Sequence, residues 1–151
     1  MKDKEEYNLK FCESYLAHML EVIDILPEQD RKDILGKCSE CHYTAINMDE
    51  LLSDYIGNME RFIEFLTIQW GWKITYDNKN GIILADENKP VCVCPIVAAS
   101  KGKKISPNLC YCSEGFAARM FSKVSGHEVK TKIMSSILRG DANCAYEIRL
   151  I

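Results

Sequence analysis

The hydrophobic period of this chain changes at Trp70-Gly71, and that change confines the fold class more than any other feature. Upstream, apolar residues recur every three or four positions; downstream, they alternate. The first pattern is that of helices with one apolar face, the second that of half-buried strands. Helices followed by strands make an α+β protein, with N-terminal helices packed on a mostly antiparallel sheet.

Along the helical part, Tyr7, Phe11, Tyr15, Met19, Val22 and Leu26 form a stripe, widened by Leu16, Leu20 and Ile23. That predicts an amphipathic helix from about Lys4 to Leu26 with one face for a core. Pro27 breaks it and opens a second helix, Glu28 to about Cys41. Asn47 and Glu50 have capping-box spacing. A third helix then runs on Met48, Leu52, Tyr55, Met59, Phe62 and Leu66 to a glycine stop near Trp70-Gly71. Met19, Met48, Met59 and Met120 follow helical stripes and are expected in the core.

After the change of period, Trp72–Tyr76 and Ile82–Ala85 flank the turn Asp77–Gly81 as a hairpin. Val91 to about Ala98 reads as a short strand, and Lys101–Asn108 as a polar loop. Ser113 is expected to cap a helix that carries Phe116, Met120, Phe121 and Val124 as far as Gly126. Two strands close the chain, His127–Leu138 and Asn143–Ile151. The 151 residues are read as a single domain, 1–70 helical and 71–151 a sheet with one helix and a cysteine cluster.

No apolar run approaches the roughly 18 residues of a membrane span, and the charged start Met1–Glu6 has no apolar core of a signal peptide. A cytoplasmic protein is expected. Net charge is −3 but uneven: residues 1–100 carry ten Lys/Arg against eighteen Asp/Glu, residues 101–151 nine against four. Lys101, Lys103 and Lys104, with Lys130 and Lys132, could face an anionic ligand, although a solvated loop and strand face explains them more simply. Nothing points to nucleic acid.

Eight cysteines are many for a cytoplasmic chain, where thiols stay reduced. Four form two Cys-x-Cys pairs, Cys92/Cys94 and Cys110/Cys112. On a strand, Cys92 and Cys94 would share one face. Where a loop enters a helix, Cys110 and Cys112 would have lowered pKa values. Together the four could hold zinc or, as a lesser alternative, an iron–sulfur cluster. Buried or free thiols are the competing reading, since zinc knuckles usually space their pairs more widely. Cys38-Ser-Glu-Cys41-His42 matches the c-type haem attachment motif. Haem is set aside, because attachment follows export and no export signal is read. Cys38 and Cys41 are possible additional members of the same site, with His42 a ligand or a surface group at the helix end. Cys12 and Cys144 are expected as small buried hydrophobes.

The segments Cys92-Val-Cys-Pro95, Leu109-Cys-Tyr-Cys-Ser-Glu-Gly115, Ser136-Ile-Leu-Arg-Gly-Asp141 and Cys144-Ala-Tyr-Glu-Ile148 resemble a family of small bacterial and archaeal proteins. That family is labelled L-2-amino-thiazoline-4-carboxylic acid hydrolase-like, and its terminal helix–hairpin unit resembles the 4-vinyl reductase type of ligand-binding domain. The resemblance covers roughly residues 36–151. It implies a small-molecule-binding α+β fold related to haem nitric-oxide-sensor and transport-complex domains, and a homodimer through the N-terminal helices. Sensor domains of that type carry zinc on cysteines and an acidic residue. Here Cys144 is the counterpart in the hairpin, and no cysteine or glutamate lies between Val129 and Asn143.

Two classes of function follow. A hydrolase opening a cyclic C–N bond would use Cys112 as nucleophile, or a zinc-activated water. It lacks an identifiable general base, since of three histidines only His42 is close in sequence to a cysteine pair. A cytoplasmic domain that binds a small ligand or a metal needs only a pocket, the thiols and a helical dimer face. The residues supply binding groups more clearly than catalytic ones, so binding is preferred. A redox-sensitive thiol staple is a third possibility.

Overall fold

The computed structural model describes residues 2–151; Met1 lies outside the described residues. Its helices are α1 (Lys2–Asp24), α2 (Glu28–Ala45), α3 (Met48–Ser53) and α4 (Met59–Gln69), followed by strands β1 (Lys73–Asp77) and β2 (Ile82–Asp86). Then come α5 (Pro95–Ala99), a 3-10 turn at Pro107–Leu109, α6 (Cys110–Ser125), β3 (Val129–Ser135), a 3-10 turn at Ile137–Arg139, and β4 (Ala145–Leu150). The strands form one antiparallel sheet in the order β1-β2-β4-β3. The fold is therefore α+β, as the change of period dictates.

Register explains which face of the sheet is buried. Pairing aligns Tyr76, Ile83, Ile148 and Thr131 in one row across the four strands, and Ile74, Ala85, Tyr146 and Ile133 in another. Rows two residues apart point the same way. Ile83, Ala85, Tyr146, Ile148 and Ile133 are buried under the helices, while Leu84 and Met134 on the alternate positions are exposed.

Against that face lies α6, flanked by α2. Tyr111 donates its hydroxyl to Glu28 at 3.1 Å, and Arg119 pairs with Glu40 at 2.9 Å. Rising numbers on one helix meet rising numbers on the other, so the two run parallel. Phe62 of α4 meets Phe121 of α6 edge to face at 5.5 Å, both fully buried with Met48, Leu52, Leu66 and Met120. Truncating either ring to alanine costs about 3–5 kcal/mol at such a site.

Four local expectations fail, each for a readable reason. The long third helix is two, because Gly57 takes φ +75° and donates its amide to Val124 O at 2.8 Å. Asn58 then caps α4, accepting from the Arg61 amide at 3.0 Å. Asn47 makes no capping box; it sits at φ 53° and its side-chain amide donates to the Glu50 carboxylate instead. The segment Val91–Ala98 is no strand. β2 already has neighbours on both sides, and Pro95, with no N–H and a preset φ, starts α5. Finally, Ser113 is inside α6, which begins three residues earlier on the 3-10 turn; Ser106 is the capping residue, accepting from Asn108 N.

Helix α1 turns its flank, not its main stripe, to the domain. Leu20 and Ile23 are buried and Leu16 partly so, whereas Tyr7, Phe11, Tyr15 and Val22 are exposed, as is Met19. Polar ties add to this apolar flank. Asp24 Oδ1 accepts from Ser106 Oγ at 2.6 Å and Asn108 Nδ2 at 2.8 Å, and Glu13 pairs with Lys103 at 2.7 Å.

Candidate functional site

Two features could carry function, and α5 borders both. The first is the thiol neighbourhood. Cys92 and Cys94 lie in the irregular stretch before α5, Cys94 at its N-cap, so they share no strand face. Cys110 and Cys112 open α6 and are half-buried; Cys38 and Cys41 are exposed on α2. Cys94, Cys38, Cys41 and Cys110 are neighbours of Cys112, and Cys92 and Cys94 of Cys110. Cys144, expected as an inert hydrophobe, belongs here too. Its sulfur accepts from Ile137 N at 3.5 Å, one residue from Ser136, whose hydroxyl is 3.0 Å from Cys110 Sγ. Cys12 is the exception: it is exposed on α1, not buried.

Burial, not the helix end, sets the state of these thiols. It pushes Cys112 up to about 11, with neighbouring thiols adding to the effect, and Cys144 up to about 11. Cys92 and Cys110 are also raised by burial, Cys110 less than it would be without the Ser136 hydroxyl. The lowered pKa expected at the start of a helix is therefore overturned, because desolvation penalises thiolate more than the helix end favours it. All eight cysteines are free thiols. Among the described residues no three His, Cys, Asp or Glu side chains stand together as ligands for one ion. His42 packs on Phe116, ring centroids 5.2 Å apart.

Beside the thiols, Glu87 is buried at the end of β2 and accepts the Tyr146 hydroxyl at 3.0 Å. Burial raises the Glu87 carboxyl, and burial together with the Glu87 charge raises the Tyr146 phenol. Glu114 on α6 accepts Ile133 N–H at 3.0 Å, beside the irregularity in β3 that shapes the loop under Cys110.

The second feature is a cavity of about 740 Å³ between α1 and the Pro95–Pro107 segment. Leu16, Leu20, Ile96, Ala99 and Ile105 give it apolar walls. Glu13 with Lys103 bridges one end, and Asp24 with Ser106 closes the other. Cys12 stands at the first end. A strand over Val91–Ala98 would hide this cavity; Pro95 followed by Ile-Val-Ala-Ala is the signal that places the helix. A smaller and more open cavity of about 400 Å³, among Gly57, Tyr76, His127 and Ile151, is far from the thiols and from α1.

The chain matches the model of a family described as a family of unknown function, DUF6144, over residues 2–151. It belongs to that family. The match brings no activity with it, neither thiazoline hydrolysis nor a 4-vinyl reductase assignment. No curated protein matches the chain. Among solved structures, the DUF6144 chain is similar to the trafficking protein particle complex subunit 3 from Naegleria fowleri covalently bound to palmitic acid. The TM-score is 0.56 at 15% identity, covering 100% of this chain and 97% of that one. It is also similar to the phenol-responsive sensory domain of the transcription activator PoxR with phenol, TM-score 0.51 at 12% identity, covering 91% and 74%. At these identities the likeness is one of fold. No helix of the described residues is long and apolar enough to cross a membrane.

Proposed function

We propose that this DUF6144 protein is a small-ligand-binding domain, with an apolar ligand seated between α1 and the Pro95–Pro107 segment. The cavity carries the reading: about 740 Å³ is in the range of small-molecule sites, and its apolar walls end in a few polar groups. The similar folds support it, since one holds palmitic acid and the other phenol, each with a large apolar part. The test is a methyl NMR titration of the full chain with phenol and with a medium-chain alcohol. Saturable shifts at Leu16, Leu20, Ile96 and Ile105 are expected. Shifts absent from these four, or confined to the outer face of the sheet at Leu84, would reject the site.

The thiols support a second reading, because four separate segments bring seven of them into one neighbourhood. In it, Cys92, Cys94, Cys110 and Cys112, with Cys38 and Cys41 as further candidates, take up a soft ion such as zinc or an iron–sulfur cluster. The Cys92–Cys94 stretch would have to close on α6, and bound thiols would release protons. Metal analysis of anaerobically purified protein, with and without Cys92→Ser/Cys94→Ser, tests it. The homodimer reading draws on the exposed stripe Tyr7, Phe11, Tyr15 and Val22 along α1. Sedimentation of the wild type beside Phe11→Glu checks it. The hydrolase reading, with Cys112 as nucleophile, gains nothing from the geometry. Burial pushes its thiol up to about 11, and the His42 ring packs on Phe116.

A further inference from the structure

We infer that the ligand of the α1–α5 cavity is a single-chain amphipathic carboxylate, its head group at Lys104 and its chain lying along α1 toward Leu20. This rests on the ligand-binding reading above and names the chemical class.

Shape is the first argument. Glu13, Ala17, Leu20 and Asp24 follow one another on a single face of α1, so the trough between its two polar ends is roughly 16 Å long at 1.5 Å rise per residue. Its walls are mostly apolar: Leu16, Ala17 and Leu20 on one side, Ile96, Ala99 and Ile105 on the other. A trough of that length suits one extended aliphatic chain better than a compact ring.

Charge is the second argument. Lys103 stands at one end, and Lys104, the next residue, also lines the cavity. Lys103 is already matched by a carboxylate, that of Glu13 at 2.7 Å, so the protein itself places a carboxylate at this spot. Among the described residues Lys104 is in no ion pair. The other end is acidic. Glu21 and Asp24 line it, and Asp24 has its donors in Ser106 and Asn108. A carboxylate is repelled there and attracted to the lysine end, so the orientation is fixed. An uncharged chain would have no preferred direction, and a cationic one would lie the other way round.

The experiment compares decanoate with decanol on the full chain by ligand-observed NMR titration at pH 7. Decanoate is expected to bind about tenfold more tightly, since the Lys104 ammonium adds a charge-assisted hydrogen bond. Lys104→Glu should remove that preference, bringing decanoate to or below the affinity of decanol. Glu13→Gln should tighten decanoate by about threefold, because it frees Lys103 from a competing surface pair. Ala17→Trp should abolish binding of both, with a far-UV spectrum like the wild type showing that the fold is kept. Equal affinities for the two probes, or a preference that survives Lys104→Glu, would overturn the carboxylate while leaving an apolar-ligand domain standing. If neither probe binds saturably, both this inference and the reading beneath it fall.

Discussion

Gly36 of α2 and Gly115 of α6 meet backbone to backbone, and their contact is asymmetric. A methyl group on Gly115 would sit 2.5 Å from Gly36 Cα and 2.7 Å from Gly36 O, whereas one on Gly36 would meet Gly115 Cα at 3.8 Å. The first distance is impossible without moving a helix; the second is ordinary contact. Gly115→Ala should therefore cost about 2 kcal/mol, typical of overpacking. Gly36→Ala should be neutral or gain up to about 1 kcal/mol from helix propensity. Urea melts of the two variants decide it, and equal losses would contradict the asymmetry.

Glu87 gives stability a pH dependence of known sign. Burial raises its carboxyl above the ordinary 4.5, so the folded state holds the proton more tightly than the unfolded chain does. Its contribution is complete below about pH 4.5 and is lost as pH rises through the folded value. Glu87→Gln keeps an oxygen to accept the Tyr146 hydroxyl and removes the charge. The variant should melt higher than wild type at pH 7 and match it near pH 4. Thermal scans at the two pH values give the comparison, and a variant less stable at both would contradict it.

The Asp24 carboxylate clips the end of α1 to the loop before α6. Asp24→Ala leaves Ser106 and Asn108 without their acceptor. Hydrogen exchange in the last turns of α1 should speed up by the equivalent of about 1–2 kcal/mol. Exchange in β2 and β4 should hardly change, since neither strand touches the clip. Exchange by mass spectrometry resolves the two regions, and a uniform rise across the chain would mean that α1 is no independent unit.

Much of this architecture is legible in the sequence because the strands carry it locally. The alternation of Thr131 and Ile133 with Lys130 and Lys132, and of Tyr146 and Ile148 with Glu147 and Arg149, suffices to choose the buried face, whatever the rest of the chain does. The failures are cases where a long-range partner decides. Met48–Leu66 is one apolar stripe, yet the tie from Gly57 to Val124 at the end of α6 divides it. On α1 the better stripe, Tyr7 to Val22, is left outside, since a pattern shows that a face is apolar but not what covers it. Cys92-Val-Cys94 alternates like a strand, but Pro95 turns the chain into α5 directly after it. Cys144 was readable as buried but not as a neighbour of Cys110, a closeness that the irregular turn at Ser136–Ile137 creates. The cavity was hidden for the same reason, being made by elements more than 70 positions apart, such as Leu20 and Ile96.

The thiols should separate by reactivity. Cys12, Cys38 and Cys41 are exposed, whereas burial pushes Cys112 and Cys144 from 9.0 up to about 11. Thiolate is the reactive form, so a rise of that size lowers its share at pH 8 by about a hundredfold. Iodoacetamide labelling of the native protein, followed by peptide mass spectrometry, should therefore mark the three exposed sites first and Cys112 and Cys144 far later. In urea the difference should vanish. The same shift has a consequence for stability. A thiol whose pKa is raised by folding contributes fully below about pH 9 and loses that contribution as pH climbs toward 11. Urea melts at pH 8 and pH 10.5 should show a steeper alkaline loss for the wild type than for Cys112→Ala/Cys144→Ala. Should Cys112 label as fast as Cys38 in the native state, burial would not be what governs it, and its place as a nucleophile would have to be reopened.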